Sequence, residues 1–282
     1  MSQRDSTPAK PLSLQEAADR LGVHYMTAYR YVRTGQLEAR REQSKWLVDP
    51  ESVQELLDRP TTTPAGRRGR PAASTRRHAL LRSIVNGDEP AAWRHTQDLL
   101  SSGMDPEDLY LGALGPTMEA VGDAWEHGDL SVGEEHKAST VMIRLTARLG
   151  PLFSVRGRKR GTIVLATPPG DRHSLPVTLL ADPLRGRRFE VIDLGADVPA
   201  ESLADAAAVA DRLIAVGLCA TTATHRSVRV AIAAVHGRVA DATVVVGGRA
   251  ISDAVTAVRL GADRFSADAL DALRVFEELA SG

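Results

Sequence analysis

The carboxyl-terminal part of the chain alternates short apolar runs with amphipathic stretches, and this alternation constrains the fold more than any other feature of the sequence. Runs of about 4–8 apolar residues bounded by turn residues predict buried strands, and the longer stretches between them predict helices. Because strands that alternate with helices form a parallel sheet, residues 161–282 are predicted to form a five-stranded, doubly wound α/β domain. The predicted strands are Thr162–Thr167, Phe189–Leu194, Leu213–Cys219, Thr243–Val246 and Arg264–Ser266.

Helical periodicity in residues 75–149 predicts a four-helix bundle ahead of this domain. Pro90 and Pro106 stand in predicted first turns, where the missing amide proton costs no hydrogen bond. Ser131 and Glu134 form a capping box at the start of the last helix. Helices joined by such short loops pack antiparallel. The predicted helices span residues 75–86, 90–102, 106–127 and 132–149.

Residues 11–58 predict a winged helix-turn-helix, a fold that reads DNA. Ser13 and Glu16 cap a first helix, Gly22 ends it, and a second helix from about residue 24 ends at Gly35. A hairpin and a third helix follow. A protein-interaction module with a solvated basic face is the alternative. The side chains expected to contact DNA are Tyr25, Thr27, Tyr29, Arg30 and Arg33 on the second helix, with Arg40, Arg41 and Lys45 on the hairpin.

Charge is distributed unevenly along the chain, and the excess of basic residues near its amino-terminal end agrees with DNA binding there. Residues 1–77 carry 14 Lys and Arg against 9 Asp and Glu, whereas the rest of the chain carries 21 against 27. Residues 59–74 form a basic linker without an acidic residue. The single cysteine, Cys219, and the absence of an apolar run near 20 residues predict a cytoplasmic protein that does not span a membrane.

A loop with Asp171 and His173 follows the first strand of the predicted α/β domain. Ligands of such domains bind at the carboxyl ends of the strands, so this histidine is placed to reach one. A carboxylate that accepts the proton of one imidazole nitrogen leaves the other nitrogen for a metal. By itself, an Asp-x-His loop is more often structural than functional.

Together with the preceding bundle, this strand and loop resemble the cobalamin-binding domain family, whose pattern is Asp-x-His-x-x-Gly, then Ser-x-Leu, then Gly-Gly. Asp171 and His173 match, while Pro176 stands at the glycine. The resemblance implies that His173 is the lower ligand of the cobalt and that the nucleotide tail of the cofactor inserts between strands. The residues implied beside the tail are Cys219 and Thr221, at the Ser-x-Leu position with Thr222 as a further hydroxyl, and Gly247 and Gly248.

The bundle resembles the photoreceptor branch of that family, typified by the CarH and LitR regulators, in a Trp-x9-Glu-His pattern formed by Trp125, Glu135 and His136. The resemblance implies adenosylcobalamin as the cofactor, with the tryptophan on its upper face and the Glu-His pair lining the adenosyl pocket. Some members have a histidine directly after the tryptophan, which becomes the upper cobalt ligand after photolysis. Here Glu126 holds that position, and His127 is the candidate for that role.

The amino-terminal segment resembles the winged helix-turn-helix of the MerR and excisionase families over residues 12–57. These resemblances imply a multidomain α and α/β transcriptional regulator, expected to be a repressor and not an enzyme. It would sense adenosylcobalamin and light, assemble as a homo-oligomer (dimer or tetramer) and bind a double-stranded DNA operator. The matching residues are Ser13-Leu14-Gln15-Glu16-Ala17-Ala18, Leu21-Gly22-Val23, Thr27-Ala28-Tyr29-Arg30 and Gly35-Gln36-Leu37.

Two alternatives remain open at this point. The substitutions at Pro176, Cys219 and Glu126 suggest a DNA-binding regulator whose cobalamin site has degenerated. The same bundle and α/β pair also suits a corrinoid carrier protein for methyl transfer, against which the basic front and the helix-turn-helix argue.

Overall fold

The computed structural model describes residues 11–21, 28, 31–32, 37–42, 45–58 and 71–281. They form two compact units. The helical unit takes its described residues from Met1–Met104 and Pro116–Val141, and the α/β unit takes its own from Asp105–Gly115 and Met142–Gly282.

A small antiparallel sheet with flanking helices opens the helical unit; the hairpin was predicted, whereas the short first strand was not. The capping box is present, because the Ser13 amide donates to Glu16 Oε2 at 2.7 Å and the Glu16 amide donates to Ser13 Oγ at 3.2 Å. The strands have the order β1-β3-β2. Most of the predicted second helix lies outside the described residues. The elements are β1 (Leu12–Ser13), α1 (Leu14–Leu21), β2 (Ala39–Glu42), β3 (Lys45–Val48) and α2 (Pro50–Asp58).

The four predicted helices of the central segment are present, with two differences. The first begins at Pro71, inside the predicted linker, because proline suits a first turn. The third is interrupted by a π-helical turn at Tyr110–Leu114. Ser131 and Glu134 form the predicted capping box, with Ser131 N donating to Glu134 Oε2 at 2.8 Å. The helices are α3 (Pro71–Val85), α4 (Glu89–Ser101), α5 (Pro106–Leu109), α6 (Gly115–Glu126) and α7 (Val132–Leu149).

The α/β unit contains the predicted five-stranded parallel sheet, in the order β5-β4-β6-β7-β8. Its first two strands extend from the centre toward one edge, and the later strands extend toward the other. The strands are β4 (Thr162–Ala166), β5 (Glu190–Asp193), β6 (Leu213–Cys219), β7 (Val244–Gly247) and β8 (Arg264–Ser266). The helices are α8 (Leu175–Gly186), α9 (Ala200–Val209), α10 (His225–Arg238), α11 (Ala254–Arg259) and α12 (Ala269–Leu279).

Both faces of this sheet are buried, which explains the continuous apolar runs of its strands. Val164 and Ala166 of β4 face one apolar core, formed with α9, α10 and α11. Ile163 and Leu165 of the same strand face a second core, formed with α8 and α12. This packing fixes the ends of the strands, and the loops at their carboxyl edge start from fixed points. Among the described residues, no helix is long and apolar enough to cross a membrane.

The π-helical turn belongs to the α/β unit and joins it through a buried polar contact. The Tyr110 hydroxyl donates to Asp182 Oδ2 at 2.8 Å, and Arg185 Nη1 donates to Asp182 Oδ1 at the same distance. The Tyr110 ring packs edge to face on Phe153, with ring centroids 4.8 Å apart. Burial and the neighbouring Asp182 carboxylate raise the pKa of Tyr110 above its ordinary value, so the phenol stays protonated as a donor.

Candidate functional site

The loop that follows β4 is tied to the loop that follows β5. Thr167 Oγ1 donates to the Asp171 carbonyl at 2.5 Å. The Asp197 amide donates to that carbonyl at 2.8 Å and to Thr167 Oγ1 at 2.9 Å. The Asp197 carboxylate accepts in turn from the Gly170 amide at 2.7 Å. The backbone around Asp171 is therefore held from two sides at the carboxyl edge of the sheet, where doubly wound domains bind ligands.

The Asp171 side chain is fully buried and connects this loop to the one after β6. Its Oδ2 accepts from the amides of Thr221, Thr222 and Ala223 at 2.6, 3.0 and 3.3 Å. Its Oδ1 accepts from the His173 amide at 3.2 Å and from the His173 ring nitrogen Nδ1 at 2.8 Å. Burial by itself would raise the pKa of this carboxyl, but the hydrogen bonds from the His173 ring and from the amides outweigh it and lower the pKa to about 2.

The His173 ring is fixed at one nitrogen and half-exposed to solvent. An ionised carboxylate only accepts hydrogen bonds, so the bond to Asp171 places a proton on Nδ1, and in the neutral form of the ring the lone pair then lies on Nε2. The side chain is 45% exposed, and the Thr222 hydroxyl lies 3.4 Å from Nδ1. A neutral imidazole can donate the electron pair of Nε2 to cobalt. His173, oriented by Asp171, is therefore suited to bind a cobalt ion. The structure thus brings Asp171 and His173 together as expected.

Cys219 lies opposite Gly247 in the pairing of β6 with β7, at the carboxyl edge of the sheet. Burial and the nearby charge of Asp171 raise the pKa of its thiol to about 12. A protonated thiol is a weak donor, and the Thr221 amide is already bonded to Asp171. A role for Cys219 and Thr221 beside a nucleotide tail stays a prediction.

The protein's own packing requires glycine at 247 and 248. A Cβ on Gly247 would lie 2.5 Å from Ser266 Oγ and 2.8 Å from the Ser266 carbonyl oxygen. A Cβ on Gly248 would lie 2.4 Å from the Ala220 carbonyl oxygen, and its φ of +96° favours glycine independently. These two glycines are therefore explained without a ligand, and their predicted contact with a nucleotide tail has no separate support from this geometry.

The residues of the Trp-x9-Glu-His pattern lie at one end of two helices in the helical unit. Trp125 stands in the last turn of α6 and is 41% exposed, which is unusual for so large an apolar side chain. Glu135 and His136 stand near the start of α7, with His136 Nε2 3.6 Å from Glu135 Oε2. Ser139 Oγ donates to Glu135 at 2.5 Å, while the His136 side chain is 72% exposed.

His127 directly follows Glu126, the exposed last residue of α6. Its Nδ1 lies 2.5 Å from the Asp123 carbonyl oxygen. Because a carbonyl oxygen only accepts hydrogen bonds, Nδ1 is the donor. Its ring lies 6.3 Å, centroid to centroid, from the ring of Trp46 on β3. Its role as a cobalt ligand stays a prediction.

Most of the residues predicted to contact DNA lie outside the described part of the chain. Arg40 is exposed on β2. For Arg41 and Lys45 the structure describes the backbone, in β2 and β3, but not the side chain. The five remaining residues, outside the described part, are Tyr25, Thr27, Tyr29, Arg30 and Arg33.

The sequence interpretation missed Thr167 and Asp197, although both hold the backbone around Asp171. One pattern offered a way to find them. Each follows a strand of the parallel sheet within a few residues of its carboxyl end. Polar side chains at this edge lie outside the apolar core and can form hydrogen bonds between loops.

Three family models match this chain in succession. Residues 11–60 match a helix-turn-helix domain, and residues 76–149 and 161–274 match two models that are both described as a B12 binding domain. The matches follow the three segments that the sequence divides into, and they support a cobalt corrinoid as the cofactor.

The similar proteins include several corrinoid proteins. The trimethylamine corrinoid protein 1 of Methanosarcina acetivorans is 27% identical over 193 residues, covering 67% of this chain and 89% of that protein. A corrinoid protein of Desulfitobacterium hafniense is 26% identical over 205 residues, covering 71% of this chain and 95% of that protein. The solved monomethylamine corrinoid protein of Methanosarcina barkeri has a TM-score of 0.61 at 22% identity, covering 71% of this chain and 96% of that one.

These comparisons establish the fold of the helical and α/β segments and favour corrinoid binding, as predicted. They differ from the resemblance drawn from the sequence, because these relatives are named corrinoid proteins, not light-sensing regulators. Only the helix-turn-helix match concerns the DNA-binding expectation. The adenosyl group, the response to light and the MerR-type assignment stay predictions.

Proposed function

We propose that this protein binds a cobalt corrinoid through His173 and uses it to regulate DNA binding by its amino-terminal segment. The observation that carries the proposal is the bond from His173 Nδ1 to the fully buried Asp171 carboxylate, which leaves Nε2 as a donor at the carboxyl edge of the sheet. When bound, the corrinoid would supply a cobalt centre and, in its alkylated form, a cobalt–carbon bond that light breaks.

Within this proposal, each group of residues has one task. Asp171 holds the proton on His173 Nδ1 and the ring in one orientation, and the amides of Thr221 and Thr222 hold Asp171. Trp125, whose exposed ring offers a large apolar surface, covers the upper face of an adenosyl corrinoid. The residues proposed to line the adenosyl group are Glu135 and His136, and those proposed beside the nucleotide tail are Cys219, Thr221, Gly247 and Gly248.

The regulatory part of the proposal is supported by the part of the chain that the relatives do not match. The match with the M. acetivorans protein takes in 89% of that protein but leaves about a third of this chain unmatched. A helix-turn-helix match falls at residues 11–60, in the basic front of the chain. Several such domains in one homo-oligomer would bind an operator together, because each bound domain raises the effective concentration of the others. Assembly would then control how much of the operator is occupied, as expected for a repressor.

A second candidate function is that of a corrinoid carrier for methyl transfer, as the names of the relatives suggest. Two of the relatives are named trimethylamine and monomethylamine corrinoid proteins, and two segments of this chain match B12 binding domains. In that case the chain would present its cofactor to a methyltransferase partner, and residues 11–60 would serve a separate purpose.

The first experiment tests corrinoid binding. The full chain is incubated with adenosylcobalamin in the dark, desalted, and measured by absorption. We expect a retained corrinoid spectrum for the wild type and for His225→Ala, an exposed histidine at the same sheet edge. We expect at least a tenfold loss of affinity for His173→Ala, since the axial bond is gone. A wild type that retains no corrinoid overturns the proposal.

A second experiment separates the two candidates. The loaded chain is kept dark or illuminated and then analysed by gel filtration and by mobility shift with duplexes selected from a random-sequence pool. The regulator proposal predicts that illumination changes both oligomer size and DNA affinity. No DNA binding in either state, together with methyl turnover beside a corrinoid methyltransferase, would favour the carrier.

A further inference from the structure

The β2–β3 hairpin of the amino-terminal segment contacts the carboxyl-terminal end of α6, which carries Trp125. The Trp46 ring on β3 and the His127 ring have centroids 6.3 Å apart and planes inclined at 59°. Such a separation and tilt are typical of interacting aromatic rings. Trp46 is partly buried, and its indole nitrogen is fully buried. Within the helical unit, the hairpin therefore contacts the carboxyl-terminal end of α6 through an aromatic pair.

His127 is fixed to the end of α6, so it follows any movement there. Its Nδ1 donates to the Asp123 carbonyl, and its backbone amide donates to the same oxygen at 3.0 Å. The next residue, Gly128, donates its amide to the Trp125 carbonyl at 2.9 Å. Trp125 and His127 thus belong to one hydrogen-bonded turn, and a displacement of the first displaces the second.

On the hairpin, Trp46 lies among the residues expected to meet DNA. The strand register pairs Trp46 with Arg41 and Leu47 with Arg40, and Lys45 directly precedes Trp46. The three strands of this sheet are only two to four residues long, so the position of these basic residues also depends on what packs against the hairpin.

We propose that the Trp46–His127 pair couples corrinoid binding to the hairpin, so that a ligand covering Trp125 repositions the basic residues of the hairpin. This inference rests on the proposed function, because it takes Trp125 as a surface that the corrinoid covers. The pair is the coupling element, since it joins the turn of Trp125 directly to the strand that carries Lys45. Neither ring needs to touch the corrinoid for the coupling to operate.

Amide hydrogen exchange of the full chain tests the coupling, with adenosylcobalamin in the dark as the ligand. In the wild type we expect the exchange rates of residues 39–48 to change about threefold or more on loading, since local opening reports small changes in contact free energy. In Trp46→Leu and in His127→Ala, which each remove one ring, the same residues should respond less than half as strongly. His127→Phe keeps a ring without nitrogen and should keep the response, which separates ring packing from ligation.

The control variant is Trp93→Leu, a tryptophan on α4 in the same unit, which should respond like the wild type. Absorption of the desalted samples shows independently whether corrinoid is bound. A wild type that binds corrinoid but shows unchanged exchange in residues 39–48 overturns the inference alone, as does an undiminished response in both ring-deletion variants. A wild type without bound corrinoid overturns the proposed function and the inference together.

Discussion

The loop around His173 and the helical end around Trp125 are built in opposite ways. In the loop, a fully buried carboxylate accepts hydrogen bonds from three consecutive amides and from one imidazole, and a neighbouring loop fixes its backbone. Where α6 ends and α7 begins, Trp125 is 41% exposed and the His136 side chain is 72% exposed, and the polar bonds connect near neighbours in sequence. The first region is held in place by the protein's own hydrogen bonds, whereas the second presents a partly exposed apolar ring.

This difference predicts that substitutions in the loop change both stability and binding, while those at the helical end change binding alone. Measurements of stability and of corrinoid affinity in single variants test that contrast.

The largest effect is expected for Asp171→Ala. The amides of Thr221, Thr222 and Ala223 and the His173 ring would lose their acceptor, so we expect the free energy of unfolding to fall by about 3 kcal/mol. Corrinoid affinity should fall about 10–100-fold, as for other residues that orient a metal ligand. Urea denaturation and a corrinoid titration measure the two effects. The exposed Asp205→Ala should change stability by less than about 0.5 kcal/mol, and an equal loss in both variants would contradict the contrast.

Trp125→Ala should separate binding from stability. Because the ring is 41% exposed, we expect a stability change below about 1 kcal/mol. Corrinoid affinity should fall about tenfold, since a large aromatic surface no longer covers the ligand. Ile143→Ala, another exposed apolar residue, on α7, is the control and should change neither quantity. Loss of stability without loss of affinity in Trp125→Ala would mean that the ring serves only packing.

Tyr110→Phe should weaken the α/β unit by about 1 kcal/mol, because the buried Asp182 carboxylate loses one donor and keeps Arg185. A double-mutant cycle with Asp182→Asn isolates the bond, and we expect a coupling of about 1 kcal/mol in thermal or urea unfolding. Additive effects of the two substitutions would show that the bond contributes nothing to stability.

The last prediction concerns the dependence of stability on acid pH. Asp171 has a pKa of about 2 in the folded protein against 3.8 for the unperturbed group. A depressed folded-state pKa means that its stabilisation is fully present above the unperturbed pKa and is lost as the pH falls toward 2. Wild-type stability, measured by urea at several pH values, should therefore fall more steeply than that of Asp171→Asn between about pH 4 and pH 2. If the stabilities of the wild type and of Asp171→Asn fell in parallel with pH, the lowered pKa of Asp171 would be contradicted.

Local sequence patterns predicted the secondary structure well, because they report on local geometry. The apolar runs predicted all five strands of the α/β domain to within two residues, and the capping boxes at Ser13 and Ser131 are present. The Asp171–His173 pair was also predictable, since its two members are close in sequence.

The remaining features depend on contacts between distant residues. The bond from Asp197 to Thr167 and that from Tyr110 to Asp182 join residues 30 and 72 positions apart, which no periodicity reveals. Gly247 and Gly248 have a predicted role beside a ligand, yet the structure explains them by the approach of Ser266 and Ala220. The π-helical turn begins at Tyr110, whose hydroxyl makes the contact with Asp182.

The central claim, that His173 binds the cobalt, is tested most directly by electron paramagnetic resonance of the reduced, Co(II) corrinoid on protein whose histidines carry ¹⁵N. A ¹⁵N axial ligand splits each cobalt line into a doublet, whereas the ¹⁴N of the cofactor's own benzimidazole gives a triplet. We predict a doublet for the wild type and for His225→Ala, and its loss in His173→Ala. A triplet in the wild type would show that the benzimidazole of the cofactor, and not His173, binds the cobalt.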